Sequence, residues 1–520
     1  MADSVMIQGT ASDAGKSILA AALCRVLVQD GYKTAPFKSQ NMSLNSYITK
    51  EGKEIAIAQT VQAEAAKVEA EVNMSPILMK PIADDMSQII LKGRVFKNMR
   101  AADYFAQKAK LIKIIREALA DLKLDYDLLV LEGGGNPAEV NLRDKDLVNM
   151  KAAEIAAAPV ILVADIDKGG VFASIVGTLD LLTEKERKRV KGIIVNKFRG
   201  DPAAFKSGVE LIEKYSGKKV LGVMPYLEKL NLPSEDSLEQ EIYGNQNYKI
   251  DIVVIAYPGM SNFTDFDYFK TAKDIQLRYV KREIELGDPD LIILPGSKTT
   301  ISDLEFLYES KLSGKIIEKA AQNTEIIGIC GGYQMLGQKI SDPDNLEGAR
   351  QNIKGLSLLK ISTVLESQKI TRQVKVESLN KLKFFKNSQN EILRGYEIHQ
   401  GKTILAADQK SLFKLKRQKL GKLEKTVHDG AVNDRGNVWG TYIHDIFKND
   451  CFRKSLINHL LTKKGLGLDS KPEKSAAEIR EDNYNYLAFY HLLLNFNNLL
   501  ISIFFSTISA SLSRLFSISF

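Results

Sequence analysis

The stretch QGTASDAGKS, residues 8–17, decides the fold of the first half of the chain. It follows the apolar run SVMIQ and precedes the helical pattern SILAAALCRVLVQ, so it lies where a strand passes into a helix. In that position, backbone N–H groups and the amino end of the helix bind phosphate groups. The alternative is a helix that merely follows a glycine-rich turn. The residues predicted to hold a nucleotide here are Gly9, Thr10, Gly15, Lys16 and Ser17.

Two side chains near this loop suit a Mg²⁺ ion that accompanies the nucleotide. The Ser17 hydroxyl is a hard oxygen ligand, and Lys16 would place its charge at the outer phosphates. Glu132 ends the buried run DLLVLE and offers a carboxylate. We therefore predict Ser17 and Glu132 as metal ligands, with a capping role as the alternative for Glu132.

Apolar, β-rich runs alternate with helical patterns, which predicts an α/β protein with parallel sheets. Such runs include PVILVADID and KGIIVNKF in the first half, and IDIVVIAYPG and DLIILPGSK in the second. The Lys-rich region of about residues 342–425 gives no clear pattern. We predict two doubly wound domains at residues 1–235 and 251–461, a linker at 236–250, and a C-terminal helix with an irregular apolar tail at 462–520.

Composition limits the classes of partner. The 520 residues carry a net charge of +8, from 72 basic and 64 acidic side chains, and no strongly basic patch stands out. We therefore expect no nucleic acid partner. The three cysteines are too scattered for a disulfide framework, and the N-terminus lacks a signal-peptide pattern, so the cytoplasm is expected. Asparagines and serines interrupt the apolar tail, which makes a membrane span the less favoured alternative.

A second motif, IIGICGGYQMLG, covers residues 326–337. An apolar strand ends at Cys330, and two glycines permit a sharp turn into a helix. Such a turn exposes a nucleophile, and the backbone N–H that follows it, here that of Gly331, can bind an oxyanion. A helix amino end also lowers the pKa of a cysteine thiol. The alternative is that Cys330 is a small residue of the buried core.

A nucleophilic cysteine needs a base, and the chain has five histidines. His444 in VWGTYIHDIF is the best candidate because it follows a strand-like run and precedes a turn. His399 in RGYEIHQG is the second candidate. Of the other cysteines, Cys24 lies on the apolar face of the first helix and is predicted to be core, and Cys451 has no comparable turn.

The loop at residues 8–17 resembles that of the dethiobiotin-synthetase branch of P-loop proteins, which reads G-T-x-[ST]-x-x-G-K-[ST]. The resemblance implies two more nucleotide contacts. Lys38 in PFKSQNMSLNS corresponds to a second phosphate-binding lysine, and Asn196 in VNKFRGD to a residue that reads the nucleotide base.

The order of the short motifs resembles the cobyric acid synthase family, glutamine-dependent enzymes of cobalamin biosynthesis, over about residues 5–461. The motifs are QGTASDAGKS, PFKSQNMSLNS, AQTVQAEAA, DIDKGGVFAS, NKFRGD, SNFTDFD, LPGSK, GICGGYQMLG, RGYEIHQG and WGTYIHDIF. The resemblance implies a P-loop synthetase domain followed by a flavodoxin-like class I glutamine amidotransferase domain. It also implies ATP, Mg²⁺ and glutamine as the ammonia donor. The implied reaction amidates the b, d, e and g carboxylates of adenosylcobyrinic acid a,c-diamide, a corrinoid polycarboxylate.

The same resemblance selects Cys330 and His444 as the catalytic pair, with Gly296 in LPGSK as the second oxyanion-hole residue. Class I amidotransferases usually have a glutamate two residues after the histidine. Here that position is Ile446, and corrinoid branches of the family are similar in lacking the glutamate. Asp445 and Glu397 lie nearby in the motifs, but the sequence assigns neither to His444.

The segment NLRDKD, just beyond Glu132, offers Asp144 and Asp146 as candidate contacts to the substrate, with an ordinary polar loop as the alternative. Two active sites in one chain require that ammonia cross between domains without protonation, which predicts a shielded path. Three other functions stay open. They are a cobyrinic acid a,c-diamide synthase, a partition-type ATPase with a protein or membrane partner, and a protein that uses free ammonia only.

Overall fold

The structure is a computed structural model. It describes residues 2–492 apart from 84, 228–229, 231, 234–241, 244–246, 271, 273, 349, 380–381, 386–390 and 468–473. Much of the predicted linker and the apolar tail beyond residue 492 lie outside the described residues. The domain boundaries therefore stay predictions.

Twelve strands and eight α-helices occur among the described residues of the first half. The strands are β1 (Asp3–Gly9), β2 (Thr34–Phe37), β3 (Asn41–Met42), β4 (Ser46–Ile48), β5 (Glu54–Ala56), β6 (Ile77–Ala83), β7 (Met86–Leu91), β8 (Arg94–Arg100), β9 (Leu128–Glu132), β10 (Val160–Asp165), β11 (Val190–Phe198) and β12 (Val220–Pro225). The helices are α1 (Lys16–Gln29), α2 (Ile57–Ala65), α3 (Ala101–Ala106), α4 (Lys108–Asp125), α5 (Met150–Ala156), α6 (Val171–Leu181), α7 (Glu184–Arg189) and α8 (Lys206–Ser216).

Six of these strands form a parallel sheet in the order β12-β11-β10-β1-β9-β2. Successive strand side chains point to opposite faces, and both faces of β1 are covered. Met6 packs in a cluster with α4, whereas Val5 and Ile7 pack against α1. Burial on both faces explains why these strands read as continuous apolar runs.

A smaller sheet, β3-β6-β7-β8, and the hairpin β4-β5 are inserted between β2 and β9. β3 pairs with β6 in parallel, while β6, β7 and β8 form an antiparallel meander. This insertion carries the segment 38–46, which faces the second half of the chain.

In the part of the second half that the structure describes, there are sixteen strands and five α-helices. The strands are β13 (Ile242–Tyr243), β14 (Ile250–Ile255), β15 (Met260–Ser261), β16 (Ile275–Val280), β17 (Leu291–Leu294), β18 (Gly296–Ser297), β19 (Glu325–Ile329), β20 (Lys339–Ser341), β21 (Asn352–Lys354), β22 (Ile361–Ser378), β23 (Leu393–Leu405), β24 (Phe413–Lys419), β25 (Lys422–Asp429), β26 (Ala431–Val432), β27 (Val438–Thr441) and β28 (Ile443–His444). The helices are α9 (Thr300–Glu309), α10 (Leu312–Ala321), α11 (Gly331–Met335), α12 (Asp450–Lys463) and α13 (Ala476–Leu492). Short 3-10 helices include Phe263–Phe269 and Ile446–Lys448.

The main sheet of this half has the order β13-β16-β14-β17-β19-β27-β26. Its five central strands are parallel, and the two edge strands are antiparallel to their neighbours. The α/β class predicted from the sequence is therefore confirmed. The Lys-rich region that gave no clear pattern contains antiparallel strands, β22 to β25, which are joined to β20, β21 and β28 in one further sheet.

Helix α13 returns to the first half and packs on α1. Arg25 is fully buried and makes two hydrogen bonds with the Glu481 carboxylate, at 2.8 and 2.9 Å. Arg480 links the halves, since it contacts Glu64 at 3.1 Å and donates to the Tyr268 hydroxyl at 2.9 Å. Among the described residues, no helix combines the length and apolar character that a membrane crossing requires.

Candidate functional site

Cys330 lies at a sharp turn between β19 and α11. The φ angle of Cys330 is 52°, which lies in the left-handed region, where a residue with a side chain is strained. Cys330 is buried, with 6% of its surface exposed. The Cys330 N–H donates to the carbonyl of Thr441 at 2.8 Å, and the Gly332 N–H donates to the carbonyl of Pro295 at 3.0 Å. These bonds hold the turn that the sequence motif predicts.

The two glycines after Cys330 are required by close packing. A Cβ on Gly332 would lie 2.0 Å from the carbonyl oxygen of Leu294, and a Cβ on Gly331 would lie 2.8 Å from the backbone nitrogen of Ser297. The turn is thus pressed against the LPGSK loop. As a result, the backbone of Gly331 and that of Gly296, the two predicted oxyanion-hole residues, lie on neighbouring segments.

His444 is buried beside this turn. Its Nδ1 lies 2.7 Å from Oδ2 of Asp265, and Cys330 is near enough to contribute to raising the pKa of the ring. A Cβ on Gly296 would lie 3.2 Å from Cε1 of His444, so the LPGSK loop borders the same ring. Tyr396 stacks on the imidazole, with ring centroids 5.4 Å apart. The structure therefore brings Cys330, His444, Gly296 and Gly331 together.

The electrostatics of His444 are set by Asp265. Burial alone would lower the pKa of His444, but the Asp265 carboxylate outweighs burial and raises that pKa to about 10. The histidine is then an imidazolium at neutral pH.

Asp265 is the residue that sequence reasoning missed. It lies in the 3-10 helix Phe263–Phe269, is 2% exposed, and is separated from His444 by 179 positions in the chain. Its Oδ1 also accepts the backbone N–H of Asp445 at 3.0 Å, which fixes the carboxylate from both sides. The only signal was the motif SNFTDFD, whose aspartates had no assigned purpose.

The residues that the sequence left open as partners of His444 have other contacts. Glu397 binds Arg417 at 2.6 Å and lies 3.4 Å from Nε2 of His399. His399, the second candidate base, stacks on Tyr442 with centroids 3.7 Å apart. Asp445 contributes its backbone N–H to Asp265, as described above.

The glycine-rich loop of the first half forms around the amino end of α1. Gly15 has a φ angle of 94°, and a Cβ there would lie 2.1 Å from Nδ2 of Asn196. That amide nitrogen donates to the carbonyl of Ala14 at 2.9 Å, so Asn196 braces the loop. Its predicted contact with a nucleotide base stays a prediction. The Thr10 N–H donates to the carbonyl of Val163 at 2.9 Å, and Gly9 closes β1.

Lys16 folds back over this loop. Its ammonium donates to the carbonyl of Ala11 at 2.9 Å and to that of Gly135 at 3.3 Å. A lysine held above the loop by backbone oxygens can exchange those partners for phosphate oxygens, which is the role that the sequence predicts.

Glu132 gathers the other predicted side chains. The Ser17 hydroxyl donates to Oε1 of Glu132 at 2.8 Å, and the Lys38 ammonium lies 3.0 Å from the same oxygen. Nε2 of Gln62, which the sequence did not single out, donates to Oε2 at 2.5 Å. A hydroxyl and a carboxylate are the hard oxygen donors that Mg²⁺ prefers. Ser17 and Glu132 thus fit the ion chemically.

Of the two candidate substrate residues, Asp144 lies in the 3-10 helix Val140–Lys145, and Asp146 directly follows this helix, before α5. Asp146 accepts backbone N–H groups from Val148, Asn149 and Lys151, so it stabilises the start of α5. Asp144 is exposed. These contacts agree with the alternative of an ordinary polar loop, and a role in substrate binding stays a prediction.

Comparison with protein families divides the chain at the same place as the fold. Residues 5–239 match the CobQ/CobB/MinD/ParA nucleotide binding domain, and residues 251–452 match the CobB/CobQ-like glutamine amidotransferase domain.

Several curated relatives are similar to nearly the whole chain. Cobyric acid synthase of Thermoanaerobacter sp. (strain X514) is 47% identical over 94% of this chain and 96% of the relative. The corresponding protein of Alkaliphilus metalliredigens is 46% identical over 93% and 96%, and that of Streptococcus sanguinis is 46% identical over 94% and 96%. Among solved structures, PurLQS from Thermotoga maritima is 22% identical, with a TM-score of 0.31 over 41% of this chain and 99% of that chain.

Proposed function

Because this chain belongs to the cobyric acid synthase family, and is thus a glutamine-dependent amidotransferase with a nucleotide-binding domain, we propose its reaction in detail. It amidates the b, d, e and g carboxylates of adenosylcobyrinic acid a,c-diamide, with ATP as the phosphoryl donor and glutamine as the nitrogen source. The observation that supports this most is the buried set formed by Cys330, His444 and Asp265 in the same chain as the P-loop. A cytoplasmic location stays a prediction from the sequence.

The amidotransferase half begins the reaction. The Cys330 thiolate attacks the side-chain amide carbon of glutamine, while the backbone N–H groups of Gly331 and Gly296 stabilise the oxyanion. His444 then donates its proton to the departing nitrogen, so that ammonia leaves and a thioester remains. Water hydrolyses the thioester to glutamate. Asp265 keeps the imidazole oriented and charged for this step.

The synthetase half activates the substrate carboxylate. That carboxylate attacks the terminal phosphorus of ATP and displaces ADP, and ammonia then attacks the acyl phosphate carbon and displaces phosphate to give the amide. Lys16 and Lys38 would neutralise charge on the transferred group. Ser17 and Glu132 would hold Mg²⁺, which supplies further charge neutralisation when it is bound. Lys38 and Ser17 both bind Glu132 here, so a nucleotide would have to compete for Lys38.

A two-by-two experiment tests the proposal. Amide formation on the a,c-diamide is measured with ATP and Mg²⁺, for wild type and Cys330→Ala, each with glutamine or with ammonium. We expect wild type to use both nitrogen sources and the variant to use ammonium only. Glutamine-dependent amidation by Cys330→Ala would refute the role of Cys330.

The same assay separates the alternative functions. A protein that uses only free ammonia gives no product from glutamine even as wild type. A cobyrinic acid a,c-diamide synthase amidates cobyrinic acid but leaves the diamide unchanged. A partition-type ATPase hydrolyses ATP regardless of glutamine and corrinoid, and responds to a membrane or protein partner instead.

A further inference from the structure

Lys298 ends the LPGSK motif, two residues after the oxyanion-hole residue Gly296. The Lys298 N–H donates to the carbonyl of Gly259 at 2.8 Å, which fixes the backbone at this position. The preceding residue, Ser297, packs against the turn at Cys330. Lys298 therefore extends directly from the segment that borders the candidate nucleophile.

The Lys298 ammonium has no counter-ion of its own in the described part of the chain. It forms no ion pair there, and the residue is only partly exposed. Burial, together with the ammonium groups of Lys369 and Lys80, lowers the pKa of Lys298 well below its usual value. A carboxylate that entered beside this ammonium would stabilise its charge, because it would replace repulsion between cations by attraction.

The two neighbouring lysines share one buried carboxylate. Glu54 is 1% exposed, and its carboxylate contacts the Lys80 ammonium at 2.7 Å and the Lys369 ammonium at 2.6 Å. Glu347 is the other carboxylate that acts on Lys298, but burial raises the pKa of Glu347, which weakens it as a counter-ion. Three ammonium groups thus face one fully engaged carboxylate and one weak one, and the cluster has an excess of positive charge.

This cluster lies beside Cys330. Strands β22 and β23 pair so that Lys369 lies opposite Gln400, two positions from Ile398. The Ile398 carbonyl accepts a hydrogen bond from the Cys330 thiol at 3.5 Å. Nε2 of Gln334, in the helix that follows Cys330, donates to the Gln400 carbonyl at 3.0 Å. The strand segment opposite Lys369 therefore contacts both the nucleophile and the helix after it.

The position of Lys298 suits the far end of a glutamine molecule. The carboxamide and the α-carboxylate of glutamine lie at opposite ends of a short aliphatic chain. When the amide oxygen is held by the backbone N–H groups of Gly296 and Gly331, the α-carboxylate lies about one side-chain length away. The two-residue step from Gly296 to Lys298 spans at most about 7 Å, which is close to that length.

Of the three lysines, Lys298 has the most hydrogen-bonding capacity left for a ligand. The Lys80 ammonium donates to the Ser46 hydroxyl at 2.7 Å and also contacts Glu54. The Lys369 ammonium donates to the same Glu54 carboxylate. An ammonium group has three donors and no acceptor, so the natural ligand for Lys298 is an oxyanion.

We propose that Lys298 binds the α-carboxylate of glutamine while the carboxamide is held at Cys330, which makes Lys298 a specificity-determining residue. The inference rests on the proposed function, because it concerns the substrate of Cys330. The ammonium donates hydrogen bonds to the carboxylate, and no covalent bond changes at this end of the substrate. Lys80 and Lys369 add attraction at longer range, so the site favours the free amino acid over amides that lack the carboxylate.

The test measures two substrates on the full chain, with ATP, Mg²⁺ and the corrinoid diamide present. The substrates are glutamine and γ-aminobutyramide, which is glutamine without its α-carboxylate. The proteins are wild type and Lys298→Met, which removes the charge and keeps most of the side-chain volume. Release of glutamate or of γ-aminobutyrate gives kcat and KM for each pair. Lys339→Met is the matched control, because Lys339 is an exposed residue of the same half and forms no ion pair among the described residues.

We expect wild type to prefer glutamine by about tenfold to a hundredfold in kcat/KM, the effect of one hydrogen bond between charged groups. In Lys298→Met, KM for glutamine should rise by about the same factor. Its kcat should change little, because the contacts to the carboxamide remain. For γ-aminobutyramide, kcat/KM should equal the wild-type value, so that the variant no longer distinguishes the two substrates. Lys298→Arg, which keeps the charge, should retain part of the preference, and Lys339→Met should retain all of it.

Other patterns overturn the assignment. If Lys298→Met lowers kcat/KM equally for both substrates, Lys298 acts through the structure of its loop and does not bind the carboxylate. An unchanged preference for glutamine in Lys298→Met, or no preference in wild type, also refutes the contact while the proposed function stands. If wild type releases no glutamate at all, the proposed function itself fails. Amidation from ammonium reports whether each protein is folded, and should Lys298→Met not fold, Lys298→Gln is measured against the same criteria.

Discussion

The strongest test of the amidotransferase site is the substitution Asp265→Asn. The side chain keeps its size, but the negative charge at Nδ1 of His444 disappears. The carboxylate is 2% exposed and lies 2.7 Å from that nitrogen, so water screens the pair poorly. Removing one partner of a buried charge pair costs about 3–5 kcal/mol. Because that carboxylate also orients the imidazole that protonates the departing nitrogen, we expect the glutaminase rate to fall by about a hundredfold or more, which corresponds to about 3 kcal/mol or more in activation free energy.

The pH dependence gives a second, more specific result. In wild type, the pKa of His444 is raised to about 10 because the Asp265 carboxylate outweighs burial. Without that carboxylate, burial still lowers the pKa of the histidine, and only the smaller effect of Cys330 continues to raise it. Since the imidazolium is the form that protonates the departing nitrogen, the alkaline limb of glutaminase kcat/KM should move from about pH 10 to lower pH.

The assay is glutamate release against pH, with amidation from ammonium as the measure of an intact synthetase half. Asp267→Asn is the matched control, because Asp267 lies in the same 3-10 helix and contacts Lys270 at 2.6 Å instead of His444. An Asp265→Asn variant with wild-type glutaminase rate and an unshifted alkaline limb would show that Asp265 does not orient or charge His444.

Three other substitutions test the packing and the charges. Gly332→Ala should lower the free energy of unfolding by about 3 kcal/mol or more, because its Cβ would lie 2.0 Å from a main-chain oxygen. Urea unfolding measures this change. Gly314→Ala is the control, because a Cβ there meets no described atom within 4 Å. Arg25→Leu should lower the unfolding free energy by about 1–3 kcal/mol, because it removes the two hydrogen bonds to Glu481. In a protein truncated before α13, the same substitution should no longer lower the unfolding free energy, since Glu481 is absent. The pKa of His444 is raised in the folded protein, so protonation of this histidine stabilises the fold fully below pH 6.5 and progressively less as pH rises toward about 10. The difference in unfolding free energy between wild type and His444→Gln should therefore shrink as pH rises from 6.5 to about 10.

Local motifs predicted the parts of the site that depend on backbone geometry. The turn at Cys330 and the loop before Lys16 each need glycines at fixed spacing, and the chain shows that spacing directly. Side chains next to those turns, such as Ser17 and Glu132, could be predicted because parallel strands end at the same edge of a sheet. These residues do converge in the structure, with Ser17 2.8 Å from Glu132.

Contacts between distant segments could not be predicted in this way. Asp265 reaches His444 across 179 positions, and Arg25 reaches Glu481 across 456. Nothing in the local pattern of either residue names its partner, because periodicity reports only which face of an element is buried. In the Lys-rich region, alternate strand positions of β24 and β25 are charged and partly exposed, so the apolar pattern that marks a core strand is weak there.

The segment 38–46 explains why one continuous motif, PFKSQNMSLNS, serves two active sites. At one end, the Lys38 ammonium contacts the Glu132 carboxylate at 3.0 Å. At the other end, the Ser46 carbonyl accepts hydrogen bonds from Nδ2 of Asn262 at 2.7 Å and from the Tyr396 hydroxyl at 3.0 Å. Tyr396 stacks on His444, and Asn262 directly precedes the 3-10 helix that carries the histidine's aspartate. The same short segment therefore contacts Glu132 of the candidate nucleotide site through Lys38, and supports the residues around His444 through the Ser46 carbonyl.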